Sequence, residues 1–91
     1  MDVPEILRLC SAVREALPML DISPQAASDL LAFAAEAEMA CRVTPPSPGA
    51  AQAAVKRIRH QLIESADGPL AAILADSAGR IIGDDIGKMF S

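Results

Sequence analysis

The chain is poor in aromatic side chains: it has no tryptophan, no tyrosine and two phenylalanines, Phe33 and Phe90. Aromatic residues normally supply much of the apolar area that a small domain buries. Without them, a core must be filled by aliphatic side chains and by close approach of the backbone. Eighteen alanines occur in the 91 residues, and alanine is the strongest helix former. The composition therefore favours thinly packed helices over a sheet.

Residues that bind metals or act as nucleophiles are also few. The chain has one histidine, His60, and two cysteines, Cys10 and Cys41, which show no CxxC or Cys/His spacing. Zinc sites need three or four such ligands at short, recurring spacings, so the sequence predicts no metal and no cofactor. Both cysteines lie within apolar helical patterns, and we expect them to be reduced core thiols of a cytoplasmic protein.

Neither a long apolar run nor an excess of positive charge is present. No stretch of about 18 uncharged apolar residues occurs, so no membrane span is predicted. The first residues, MDVPEILRLC, carry acidic side chains where a signal peptide has basic ones. A net charge of -4 opposes attraction to phosphate backbones. We therefore expect neither a membrane nor a nucleic acid as a partner.

No motif of a catalytic centre is found in the sequence. A GxSxG elbow is absent, and His60 has no nucleophile or orienting carboxylate at a recognisable spacing. Gly79, Gly83 and Gly87 do not have the spacing of a phosphate-binding loop. No catalytic residue is predicted, and the sequence indicates a protein that is not an enzyme.

What the chain does contain is a series of helix signals separated by prolines. Asp2 starts a first helix that ends near Pro18, and Ser23 followed by proline starts a second. The loop VTPPSPG, residues 43–49, ends the second helix, and its own Ser-Pro pair starts a third. Two helices of similar length joined by a short loop predict an antiparallel hairpin. The prediction is one all-α domain, residues 1–91, with a three- to four-helix bundle around this central hairpin.

Apolar residues that recur every three or four positions predict the inner face of each helix. In the first helix these residues are Val3, Ile6, Leu7, Cys10, Val13, Leu17 and Leu20. In the second they are Ala27, Leu30, Leu31, Ala34, Ala37 and Cys41. In the third they are Ala51, Val55, Ile58, Leu62 and Ala66.

The last segment is open to two interpretations. A helix over residues 70–90 places one apolar face beside an edge of glycines four residues apart, and the face comprises Leu70, Ile73, Leu74, Ile81, Ile82 and Met89. The alternative is a short β-hairpin that turns at residues 77–80. A glycine edge lets another helix approach closely, so we predict a self-association interface, and thus a homo-oligomer, at Gly79, Ile81, Ile82, Gly83, Ile86 and Phe90.

Charged residues form two further candidate surfaces. The cluster KRIRH comprises Lys56, Arg57, Arg59 and His60 on the third helix, and the acidic side of the second helix carries Asp29, Glu36 and Glu38. The basic cluster is expected to pair across the hairpin with Asp29, Glu36 or Glu38. The alternative is that Glu36, Glu38 and the basic cluster face a charged partner.

The segment EAEMACRVTPPSPGAAQAAVKRIRHQLIESADGPLAAILADSAGRIIG joins an acidic helix, a proline loop, a mixed-charge helix and a Gly/Ala/Ile tail. This order resembles small helical modules of bacterial conflict and abortive-infection systems. The resemblance covers about half of the chain and contains no catalytic signature. It implies recruitment or assembly, and it assigns no site residue.

Two functions follow as hypotheses. The first is a non-enzymatic module for protein–protein interaction or oligomerisation, in bacterial defence if the resemblance holds. The alternative is a small acidic inhibitor or regulator, antitoxin-like or phage-encoded, whose second helix binds an enzyme. The thin core and the small-residue edge favour the first hypothesis.

Overall fold

The computed structural model describes the backbone of residues 2–90 and the side chains of residues 2–83. The helices are α1 (Val3–Ala16), α2 (Pro24–Arg42), α3 (Pro48–Ser65) and α4 (Pro69–Phe90), and a 3-10 turn, Leu17–Met19, follows α1. The prediction of an all-α bundle is confirmed. The hairpin alternative for the last segment is wrong, because α4 is one continuous helix.

The helix starts follow the predicted signals. The Asp2 carboxylate accepts a hydrogen bond from the Glu5 amide at 3.1 Å, and the Ser23 hydroxyl accepts one from the Ala26 amide at 3.2 Å. Each bond satisfies an amide that has no partner within its helix. Gly68 precedes α4 with a φ of 104°, a left-handed conformation that glycine adopts without a steric penalty. The chain therefore turns sharply from α3 into α4.

The four helices pack in chain order, and α1 also contacts α4. The most extensive contact joins α2 to α3, followed by those of α3 with α4 and of α1 with α2. The α2–α3 connection is short, and its Ser47 amide donates to the Ala40 carbonyl at 2.9 Å. The central hairpin is thus confirmed as the main packing unit. The contact between α1 and α4 is the smallest of the four.

Alanine fills much of the core, as the composition predicted. Eleven of the 23 buried apolar residues are alanines, and none of the buried residues in the described part of the chain is polar or charged. The largest side chains that are almost wholly buried are Ile6, Val13, Leu30, Val55, Ile58 and Leu62. Small side chains let the helix backbones approach, so few large residues are needed to complete the packing.

Two residues predicted for the inner face lie outside instead. Leu31 is 42% exposed and Ile73 is 60% exposed, whereas their neighbours Leu30 and Leu74 are buried. Adjacent residues on a helix are turned by about 100°, and in these two pairs the neighbouring helices cover only one of the two side chains. The predicted inner face of α3 is confirmed at every position, from Ala51 to Ala66.

Candidate docking surface

The solvent-facing side of α2 and the residue that follows the helix form an apolar strip, which we call the α2 strip: Leu31, Ala32, Ala35, Met39 and Val43. All five residues are exposed. Met39 is 66% exposed and Val43 is 41% exposed. Since Leu31, Ala35, Met39 and Val43 are four residues apart, they follow one side of the helix. The strip is a continuous apolar surface and not a set of scattered positions.

A groove beside the α2 strip gives this surface a concave part. The groove has a volume of about 520 Å3 and lies where the end of α2 meets the start of α3, lined by Ala35, Glu36, Met39, Ala40, Val43, Ser47, Ala50 and Arg57. Five of these residues are apolar. Such a site favours an apolar side chain over a charged small molecule.

Arg57 holds the rim of the groove in place. Its guanidinium donates a hydrogen bond to the Glu36 carboxylate at 2.6 Å and lies 5.8 Å from the centre of the Phe33 ring. The first contact is an ion pair between two half-exposed side chains, and the second is a cation–π contact. The predicted pairing of the basic cluster with α2 is confirmed for Arg57 and Glu36.

The other two acidic residues of α2 have partners elsewhere. Glu38 accepts a hydrogen bond from Arg14 of α1, and Asp29 accepts one from Gln25 of its own helix. The hydrogen bond with Glu38 raises the pKa of Arg14. Of the three acidic residues that were candidates for pairing across the α2–α3 hairpin, Glu36 therefore makes the pair, and Glu38 and Asp29 meet donors on α1 and α2 instead.

The remaining members of the basic cluster spread over α3. Lys56 and His60 are exposed. Arg59 lies against Gly79 of α4: a Cβ atom added to Gly79 would be 3.1 Å from the Nε atom of Arg59. Residues at successive positions of a helix point in different directions, so the four residues do not converge on one site.

The predicted C-terminal interface lies partly inside the bundle. Ile81 is 7% exposed and belongs to the core, Ile82 packs against that core, and Gly79 is half-buried beneath Arg59. Gly83 is exposed, and a Cβ atom there would meet nothing within 4 Å. The side chains of Ile86 and Phe90 lie outside the described residues. Close approach at Gly79 thus serves the contact between α3 and α4 of the same chain.

A second cleft, of about 330 Å3, separates α1 from α4. Leu9, Leu74 and Ile81 form its apolar floor, and Arg8 and Arg80 lie among its lining residues. Arg80 is paired with Asp76 at 3.3 Å. This cleft lies where the contact between two helices is least extensive, between α1 and α4, and its rim carries both positive and negative side chains.

The two cysteines are free and buried. Burial, with a smaller contribution from the Glu38 charge, raises the pKa of the Cys10 thiol to about 11. A buried thiol that keeps its proton is a poor nucleophile and a poor metal ligand. In the described part of the chain, no group of three or more His, Cys, Asp or Glu residues is placed to hold a metal ion.

Sequence reasoning missed the α2 strip because it placed Leu31 in the core. One signal was available: Leu31, Ala35, Met39 and Val43 continue at four-residue spacing beside a second apolar row that begins at Leu30. A helix with two adjacent apolar rows has more apolar surface than one inner face needs.

No protein-family model matches the chain, and the comparisons with curated proteins and with solved structures give no match. None of the helices in the described residues combines the length and apolar character that a membrane span requires. The resemblance to bacterial conflict modules therefore stays a prediction.

Proposed function

We propose that this protein is a non-enzymatic interaction module and that the α2 strip, with its groove, is the docking surface. The observation that carries the proposal is the exposure of Met39 and Val43 beside an apolar groove. A contiguous apolar patch with a polar rim is typical of protein–protein contacts.

Burial of the α2 strip by a protein partner is favoured by the free energy of removing apolar side chains from water. Complete burial of a Met or Val side chain is worth about 1.5 to 3 kcal/mol. Methionine also adapts its unbranched side chain to a partner of irregular shape. Arg57 lies at the edge of the surface, where its charge remains solvated while the strip is covered. These are the features of an interface with an apolar centre and a polar rim.

The regulator hypothesis has less support. It relies on Glu36 and Glu38 facing a basic site of an enzyme, yet Glu36 is paired with Arg57 and Glu38 with Arg14. A basic partner would have to displace an arginine of this chain to reach either carboxylate. A role in bacterial defence stays a prediction on the sequence resemblance alone.

Site-specific photo-crosslinking tests the proposed function. A benzophenone side chain at Met39 and, as a matched control, one at Ile63 of α3 would be irradiated in cells that naturally express the chain. Ile63 is 54% exposed, so both probes are accessible. We expect a protein adduct from position 39 and none from position 63. Absence of an adduct at 39, or equal adducts at both positions, would contradict the proposal.

A further inference from the structure

We infer that the occupant of the α2 strip is a second copy of this chain, with the two α2 helices antiparallel across a two-fold axis near Ala35. The inference rests on the proposed function and names the partner for the same surface. It is carried by the distribution of side-chain size and charge along α2.

One row of exposed residues, on the side of α2 that faces the groove, separates large side chains from small ones, whereas Leu31 lies on the other side of the strip. In this row Met39 lies near the end of α2 and Val43 directly follows the helix, whereas Ser28 and Ala32 lie in its N-terminal half, and all four are exposed. With the axis near Ala35, an antiparallel partner places its Ala32 opposite Met39 and its Ser28 opposite Val43. Each large side chain then fills the space above a small one. A parallel pair would place Met39 against Met39 and leave the small residues facing each other.

The charges beside the strip permit this arrangement. A two-fold axis brings the same flank of both helices together, so the two Glu36 side chains approach each other. Each of them already has Arg57 at 2.6 Å, and the four charges sum to zero. Like charges without such counterions would oppose the contact.

The opposite flank offers a further contact. On this flank, Arg42 of one copy lies two residues, or about 3 Å, beyond the position opposite Leu31 of the other copy, and both residues are exposed. The aliphatic stem of an arginine covers apolar surface while its guanidinium stays in water. Leu31, whose exposure conflicts with its sequence pattern, thereby gains an apolar neighbour.

The size of the surface sets the expected strength of the dimer. From Ser28 to Val43 the face is about 22 Å long, which is short compared with stable interfaces, where about 800 Å2 is buried on each partner. We expect a dissociation constant in the micromolar range, so that the dimer depends on concentration.

Cysteine cross-linking of the purified, full chain tests the register. Met39→Cys and Ala32→Cys variants, one of them with a mass tag, are mixed under mild oxidation, and each is also oxidised alone. An Ile63→Cys variant and the wild-type chain, whose own cysteines are buried, serve as controls. Circular dichroism confirms that each variant is folded.

We expect the mixed disulfide between positions 39 and 32 to form at least about tenfold faster than the Met39→Cys homodimer or any Ile63→Cys product. A faster 39–39 disulfide would overturn the antiparallel register. No cross-link, together with a monomeric mass up to about 1 mM, would overturn the second copy as the occupant. If the chain is monomeric but the photo-probe at position 39 forms an adduct with a different protein, the proposed function still holds. If the chain is monomeric and no adduct forms, both the proposed function and this inference are wrong.

Discussion

Arg14 in α1 donates a hydrogen bond to Glu38 in α2, and this ion pair joins the two helices. The Glu38 side chain is only 12% exposed. A carboxylate with little access to water depends on its protein partner more than an exposed one does. We regard this pair as part of the fold and not as a charged docking site.

A double-mutant cycle on Arg14→Ala and Glu38→Ala measures the strength of this pair. We expect a coupling free energy of about 1 kcal/mol, the upper end for partly exposed pairs. The matched comparison is Arg57→Ala with Glu36→Ala, whose side chains are both about half exposed. Its coupling should be below about 0.5 kcal/mol. The free energies are measured by urea unfolding followed by circular dichroism, which suits a chain without tryptophan. Equal coupling free energies in the two cycles would contradict the prediction that the less exposed pair is the stronger one.

Adjacent leucines of α2 provide a second test. Leu30→Ala should lower the free energy of unfolding by about 2 to 5 kcal/mol, because Leu30 is fully buried. Leu31→Ala should change it by less than about 0.5 kcal/mol, since Leu31 lies on the exposed α2 strip. Both values come from denaturant curves at a concentration where the chain is monomeric. Comparable losses would show that Leu31 belongs to the core.

Substitution by alanine should change the stability of the protein in opposite directions at two glycines. Gly83→Ala should stabilise the protein by about 0.5 to 1 kcal/mol, because alanine favours the helix and the added Cβ atom meets no neighbour within 4 Å. Gly68→Ala should destabilise it by about 1 to 2 kcal/mol, because the φ of 104° suits glycine alone. Thermal unfolding of both variants checks the signs, and stabilisation by Gly68→Ala would contradict the turn geometry.

Stability should fall at alkaline pH because of Cys10. The folded state raises the pKa of its thiol from 9.0 to about 11, so the folded chain holds this proton more tightly than the unfolded chain. The stabilisation is complete below pH 9 and is lost as the pH rises towards 11, a change of about 2 to 3 kcal/mol. Urea unfolding between pH 8 and 11 measures it. A Cys10→Ala variant with the same pH dependence would contradict this assignment.

Local signals in the sequence were enough to predict the helices. Ser23 followed by proline marks the start of α2, and its hydroxyl makes the capping bond expected of it. Such signals act within one turn of helix, so neighbouring residues contain the information. The hairpin was also predictable, because its loop is too short for any other arrangement of two long helices.

The candidate site was less accessible to sequence reasoning. Leu30 and Leu31 are the same residue type at adjacent positions, and only the packing of α1 and α3 against α2 decides which of them is buried. The partner of Glu38 likewise depends on where α1 lies in the fold. The predicted interface at Ile81 assumed a free edge of α4, whereas that residue packs inside its own bundle.

The most direct measurement is the solution mass of three chains, wild type, Met39→Glu and Ile63→Glu, by size-exclusion chromatography with multi-angle light scattering across a concentration series. The two substituted residues are similarly exposed, so both variants should fold. The account predicts that the wild type and Ile63→Glu approach about 19 kDa, twice the monomer mass of 9.5 kDa, while Met39→Glu remains a monomer. A wild-type chain that is monomeric throughout, or a dimer that persists in Met39→Glu, would contradict it.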